Sequence, residues 1–196
     1  MMSSDQIDTK TRILDTTWNL LESGDKAVRM SDIAKAVGIS RQALYLHFPN
    51  RAELLVATTR HIDAVKNVDA RLAQSRSAAS GIERLHAFVQ AWGGYIPDIH
   101  GISVALRAMR ESDKAAAMAW DDRMLAVRHG CEAVVRAIAA NGDLRSELAE
   151  QTATDLLWTL LSVENWERLV RDCSWSQAAY EQTMRETAEA ALLASH

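Results

Sequence analysis

The chain has 196 residues, 48% of them hydrophobic and 24% charged, with a net charge of −4; this is the balance of a folded, water-facing protein and excludes disordered and fibrous classes. The length suits one large or two small domains. No apolar run approaches the roughly 18 residues that span a bilayer, and Met1 to Lys10 has no apolar signal core, so a cytoplasmic protein with no membrane partner is expected.

The charge is uneven. Met1 to Arg76 carries 11 Lys and Arg against 9 Asp and Glu, whereas residues 77–196 carry 11 against 17. A polyanion is therefore tolerated at the N-terminal end and repelled by the rest. Cys131 and Cys173 have no CxxC or Cys/His ligand spacing around them, which predicts two buried or half-buried thiols and neither a disulfide framework nor a zinc site.

With 2 prolines, 8 glycines and no alternating β-branched runs, the chain reads as all-α. A first helix spans Thr11 to Leu21, with Ile13, Leu14, Thr17, Trp18 and Leu21 as its core stripe. A second covers Ser31 to Gly38, with Ile33, Ala34 and Val37 on one face and Gly38 supplying the positive φ of a sharp turn. Ser40 is the N-cap of a third helix in which Ala43, Leu44, His47 and Phe48 face inward and Arg41, Gln42 and Tyr45 outward. Two short helices meeting at such a turn place the second in the major groove of DNA. Arg41 suits guanine O6 and N7, Gln42 suits adenine N6 and N7, and the Tyr45 hydroxyl suits a phosphate. From Ile33 to Ala52 there is no Asp or Glu, while Lys35, Arg41 and Arg51 are present. A generic pair of amphipathic helices explains the apolar spacing equally well; the residue detail favours DNA.

Phe48-Pro49 stops the third helix, because the residue before proline is pushed out of helical space. Asn50 with Glu53 forms an Asn version of the capping box for a fourth helix, running to about Ser75. Ser75 to Gly81 is the linker. A fifth helix follows over Ile82 to Ile96, ended by Pro97, then a sixth over Ile99 to Arg110 and a seventh over Lys114 to Asn141, stopped by Asn141-Gly142. An eighth fits Arg145 to Asp172 and a ninth Ser176 to Ala194. The resulting division is 8–68 and 76–196. Gly93-Gly94 inside a helix marks either close backbone packing or a kinked wall.

The segment around the turn resembles the DNA-binding domain of the TetR (tetracycline-repressor-like) family. Ile33, Ala34, Gly38, Ser40, Leu44, Tyr45, His47, Phe48, Arg51, Leu54 and Leu55 match its pattern. The resemblance implies an N-terminal three-helix helix-turn-helix domain and a C-terminal helical domain for ligand binding and dimerisation. It implies a DNA-binding set of Arg29, Ser31, Ser40, Arg41, Gln42, Tyr45, His47 and Arg51, with Arg41 and Gln42 reading bases and Tyr45 and Arg51 holding phosphates. Arg29 stands where the family usually has Thr; either Ser31 caps the second helix or Arg29 reaches the phosphate itself. Asp155 to Leu193 is similar to the family's C-terminal helix pair, with Ser174 in the glycine position before Trp175. This implies a homodimer through 145–194, whose two recognition helices suit a palindromic operator of double-stranded DNA. An intramolecular core explains the same apolar faces.

Between these blocks lie Trp92, Ile96, Met109, Trp120, Met124 and Trp158. In the family resembled this region holds an inducer pocket, so these six are the candidate effector wall, although Trp and Met at helical spacing also make ordinary core. His86, His100, Arg107 and Arg123 are the polar candidates beside them. No nucleophile elbow, P-loop, Rossmann fingerprint or HExxH occurs, and His129 and Cys131 lie on different faces of a helix. No enzyme activity, cofactor or metal is expected. The expectation is a ligand-responsive transcriptional regulator, a repressor released from DNA by a small apolar or aromatic effector. The alternative is a helical interaction module or a constitutive DNA-binding dimer.

Overall fold

The computed structural model describes residues 4–23 and 28–194. Helix follows helix: α1 (Ser4–Glu22), α2 (Met30–Val37), α3 (Arg41–His47), α4 (Arg51–Val65), α5 (Val68–Arg76), α6 (Gly81–Gly93), α7 (Ile96–Met109), α8 (Lys114–Ala140), α9 (Glu150–Leu160), α10 (Val163–Trp166), a π-helical stretch over Glu167–Asp172, and α11 (Gln177–Leu192). Among the described residues there is no β-strand, only an isolated antiparallel bridge between Leu144 and Leu193. The all-α expectation agrees with this.

The residues divide into two compact units, one from Met1–Lys66 with Ile99–Arg123, the other from Asn67–Asp98 with Met124–His196. In the first, α1 packs on α2 and α4. Ile13, Leu21, Ile33, Leu44, Leu54, Leu55 and Ile62 are fully buried there. Thr17 and Thr58 are also buried, and their hydroxyls donate to the carbonyls of Ile13 and Leu54 one turn back. Polar contacts tie its outer surface: His61 Nε2 lies 2.7 Å from Asp15 Oδ1, and ion pairs join Arg60 to Asp122 at 2.7 Å and Arg123 to Asp63. Burial penalises the Asp122 carboxylate, but hydrogen bonds from Arg60 and Arg123 outweigh that and hold it below the ordinary aspartate range.

The second unit is built on α6 packed against α5 and α11. Leu85, Val89, Ile96, Val134, Val135, Ile138, Leu157, Leu161 and Tyr180 are buried within it. Gly93 explains itself here. A Cβ at that position would lie 3.2 Å from Glu181 Cγ and 3.4 Å from Tyr180 Cε1, so the glycine lets α6 and α11 approach closely. A polar chain fixes the same contact: Trp166 Nε1 donates to Gln177 Oε1 at 2.9 Å, and Gln177 Nε2 donates to the Gly93 carbonyl at 2.9 Å.

Four boundaries differ from the sequence reading, the first being α1, which begins at Ser4 rather than Thr11. The fourth helix stops at Val65 instead of reaching Ser75; Asn67, at φ +55°, breaks it and α5 begins at Val68. Asn is among the few residues that tolerate this left-handed conformation. Pro97 sits in the first turn of α7 rather than after the helix it was expected to end, which stops at Gly93; in a first turn the missing N–H costs nothing. The expected eighth helix starts at Glu150, not Arg145: the Arg145 N–H donates to the Leu192 carbonyl, and the Arg145 carbonyl closes a tight turn by accepting from the Leu148 N–H at 3.0 Å. It breaks again after Leu160, where Ser162 caps α10 by accepting from the Asn165 N–H at 3.3 Å.

Candidate nucleic-acid interface

The turn between α2 and α3 rests on Gly38, at φ +79°. Its N–H and that of Ile39 both donate to the Ala34 carbonyl at 3.0 Å, which closes the end of α2. Ser40 then caps α3, its hydroxyl oxygen accepting from the Ala43 N–H at 3.1 Å. Behind α3, Leu44 and Phe48 are buried, while Ala43 and His47 are half-buried. Phe48 leaves the helix in an extended conformation ahead of Pro49. Asn50 opens α4, accepting from the Glu53 N–H at 2.9 Å and donating to the Glu53 carboxylate at 2.8 Å.

This anchoring leaves one side of α3 in solvent. Arg41, Gln42, Tyr45 and Leu46 are all exposed, Tyr45 at 41% and Leu46 at 83%. At about 100° per residue these four fall within roughly 140° of the helix circumference, with Leu44 opposite them. The face therefore offers a guanidinium, a carboxamide, a phenol and an isobutyl group together. Lys35 is exposed on α2 nearby in sequence.

The second helix removes one of the two alternatives at its N-terminus, Ser31 as its cap. Arg29 is the N-cap, in an extended conformation at φ −89°, ψ 156°. A guanidinium accepts no hydrogen bond; instead the Asp32 carboxylate accepts from the Arg29 N–H at 3.2 Å. Ser31 lies inside the helix and donates to Asp32 at 3.3 Å, so it is not the cap. Both Arg29 and Ser31 are exposed.

Arg51 is placed differently from Arg41. Its Nε donates to the Val28 carbonyl, its Nη1 pairs with Asp113, and the side chain is only 19% exposed. Asp113 does double work. One carboxylate oxygen pairs with Arg51, and the other accepts from the Ala115 and Ala116 N–H groups at 2.9 and 3.3 Å at the start of α8. Sequence reasoning missed Asp113, which lies 62 positions from Arg51 with no local signal joining them. It also missed Leu46, which the helical spacing could have put on the outward arc.

The candidate effector residues do not gather in one unit. Met109 and Trp120 belong to the first, and Trp92, Ile96, Met124 and Trp158 to the second. Trp120 is buried with the Arg107 guanidinium 5.7 Å from its ring centroid. Trp92 is 8% exposed, donates to the Leu161 carbonyl at 2.7 Å, and meets Tyr95 edge-on with centroids 6.0 Å apart. Ile96 is fully buried, while Met124 and Trp158 are half-buried. His86 pairs with Glu189. Cys131 is buried, and that burial pushes its thiol up to about 12. Cys173 is exposed, contrary to the expectation of a buried or half-buried thiol. No helix among the described residues is long and apolar enough to cross a membrane.

Comparison with known proteins bears on this arrangement. Residues 13–58, which hold the turn, α3 and the start of α4, match the family model of bacterial regulatory proteins, tetR family. No curated relative matches the sequence. Among solved structures, a protein from Saccharomonospora viridis crystallised in complex with choline superposes with a TM-score of 0.72 at 20% identity, over 96% of this chain and 99% of that one. The transcriptional regulator FadR from Bacillus subtilis, in complex with stearoyl-CoA, gives 0.70 at 15% identity over 90% and 96%. A TetR transcription regulator from Haloarcula marismortui gives 0.68 at 18% identity over 95% and 99%. These likenesses extend the shared fold over nearly the whole length. Residues 13–58 thus match the model of the tetR family of bacterial regulatory proteins, and the chain over nearly its whole length has the fold of solved TetR-type regulators.

Proposed function

We propose that this regulator is a cytoplasmic repressor that binds a palindromic site in double-stranded DNA as a homodimer and is released by a small apolar or aromatic effector. The observation that carries DNA binding is the exposed arc of Arg41, Gln42 and Tyr45 on a helix held from behind by Leu44 and Phe48. Arg41 and Gln42 read base edges, and Tyr45 holds a phosphate. Ser40 and His47 set and steady α3, while Arg29 and Ser31 bring exposed donors to the start of α2. Arg41→Ala is expected to cost about 1 to 3 kcal/mol of binding and to relax sequence preference at one position. Titration of variant and parent against a panel of single-base operator changes checks this; identical profiles would remove Arg41 from base readout.

Arg51 reaches a phosphate only by exchanging Asp113 for it. Asp113→Asn keeps an acceptor for the start of α8 and deletes the competing charge. It is expected to strengthen binding to all duplexes alike and to steepen the salt dependence by about one phosphate contact. Titrations at several salt concentrations measure that slope.

Dimerisation is supported by an apolar groove of about 280 Å³ between α9 and α11, lined by Leu156, Leu157, Leu160, Ala188, Ala191 and Leu192 among others. Leu156 is 46% exposed beside it. Leu156→Glu puts a charge where a monomer tolerates one and a dimer does not. It is expected to turn a sedimenting dimer at micromolar concentration into a monomer.

An effector is supported by the choline and stearoyl-CoA found in structural neighbours. It acts by binding the DNA-free state more tightly, and DNA must then weaken the effector by the same factor. The buried, hydrogen-bonded setting of Trp92 favours a second reading, a DNA-binding dimer without an effector.

A further inference from the structure

We propose that Leu46 is a specificity determinant that reads the C5-methyl group of a thymine in the major groove. This rests on the DNA-binding reading above and adds a residue and a base to it.

Leu46 is 83% exposed, the most exposed of the large hydrophobic side chains in the described residues. A scattered surface leucine needs no explanation; its position gives this one meaning. It follows Tyr45 and lies one turn after Gln42, inside the exposed arc of α3 that also holds Arg41. The interior of its own unit does not claim it, because Leu44 at 0% and Phe48 at 3% exposure already fill the side of α3 that packs. Once α3 enters the groove, Leu46 stacks one turn beyond Gln42 on the same side of the helix, next to the base edge that Gln42 reads, and an isobutyl group has nothing to gain from a charged phosphate. Only one apolar group projects from the base edges, the thymine methyl. A polar edge in the same place would lose its water without gaining a hydrogen bond, so the site discriminates against cytosine as well as favouring thymine. Four residues of helix rise about 6 Å, which puts this thymine one to two base pairs from the pair read by Gln42.

The experiment uses the full chain. A duplex is first enriched from a random-sequence pool by the parent protein. Each thymine is then replaced singly by deoxyuridine, which pairs identically and lacks only the methyl. Parent, Leu46→Ala, Leu46→Asn and Gln42→Ala are titrated on each duplex. Burial of one methyl against leucine predicts a roughly fourfold loss for the parent at one thymine per half-site, one to two base pairs from the pair at which Gln42→Ala loses its preference. Leu46→Ala should bind the thymine and uracil duplexes equally, and Leu46→Asn should no longer reject cytosine there. Unchanged melting temperatures of both Leu46 variants, expected for so exposed a side chain, assign the loss to contact rather than folding. If the parent shows no thymine-to-uracil effect at any position, or Leu46→Ala keeps the full effect, Leu46 does not read a methyl, while an Arg41→Ala loss on the same duplex leaves DNA binding intact. If no duplex is enriched at all, both readings fall together.

Discussion

Replacing Trp92 by alanine is expected to remove about 3 to 5 kcal/mol from the stability of the unit that contains it. The indole is 8% exposed, packs edge-on against Tyr95, and donates to the Leu161 carbonyl at 2.7 Å. It adjoins Gly93, whose carbonyl is held by Gln177. Truncation therefore opens a cavity and strands a buried acceptor at once. Trp92→Phe separates the two contributions: it restores much of the bulk, and the remaining deficit of about 1 to 3 kcal/mol belongs to the unpaired carbonyl. Urea unfolding followed by circular dichroism measures both variants. The same pair of variants decides what Trp92 is for. A pocket wall would lose effector-dependent quenching and keep its stability, whereas a core residue loses stability first, and the hydrogen bond to Leu161 predicts the second result.

Gly81→Ala is expected to be comparably severe, about 3 kcal/mol, for the opposite reason. A Cβ on Gly81 would stand 2.5 Å from the backbone Cα and N of Ile138 and 2.7 Å from the Ala137 carbonyl carbon. These are main-chain atoms of α8, which cannot swing aside as a side-chain tip could, so α6 or α8 must shift as a body. The Gly81 N–H also donates to Asn141 Oδ1 at 2.6 Å, and any shift weakens that bond. Gly142→Ala is the control. It shares the region's chain, has open space around its Cβ, and sits at φ +79°, so it should cost only the left-handed strain of about 1 to 2 kcal/mol. Equal midpoints for Gly81→Ala and the parent in urea would contradict the close approach of α6 and α8.

The turn segment was legible in the sequence because its determinants are local. Gly38, Ser40, Pro49 and Asn50 each fix the backbone within a residue or two, and each does so where the spacing placed it. Where partners are distant, the sequence was silent. No proline or glycine marks the break at Asn67, which adopts a left-handed φ of +55°. The stretch before α9 is tied by a backbone bond between Arg145 and the distant Leu192. Nothing near Arg51 in the sequence announces Asp113 as its partner, 62 positions away. Composition singled out six large side chains for an effector, yet tryptophan and methionine serve cores and pockets alike, and only the setting of each one separates the uses. For Trp92 the setting is a hydrogen-bonded core.

Sequence reading by α3 stands or falls on one titration. The full chain is titrated by fluorescence anisotropy against its enriched duplex and against a scrambled duplex of the same composition, over a range of salt concentrations. The enriched duplex is expected to bind at least about a thousandfold more tightly. Both affinities are expected to fall linearly with log salt as counterions are released. Equal affinity for the two duplexes, or none for either at low salt, would contradict sequence reading by α3.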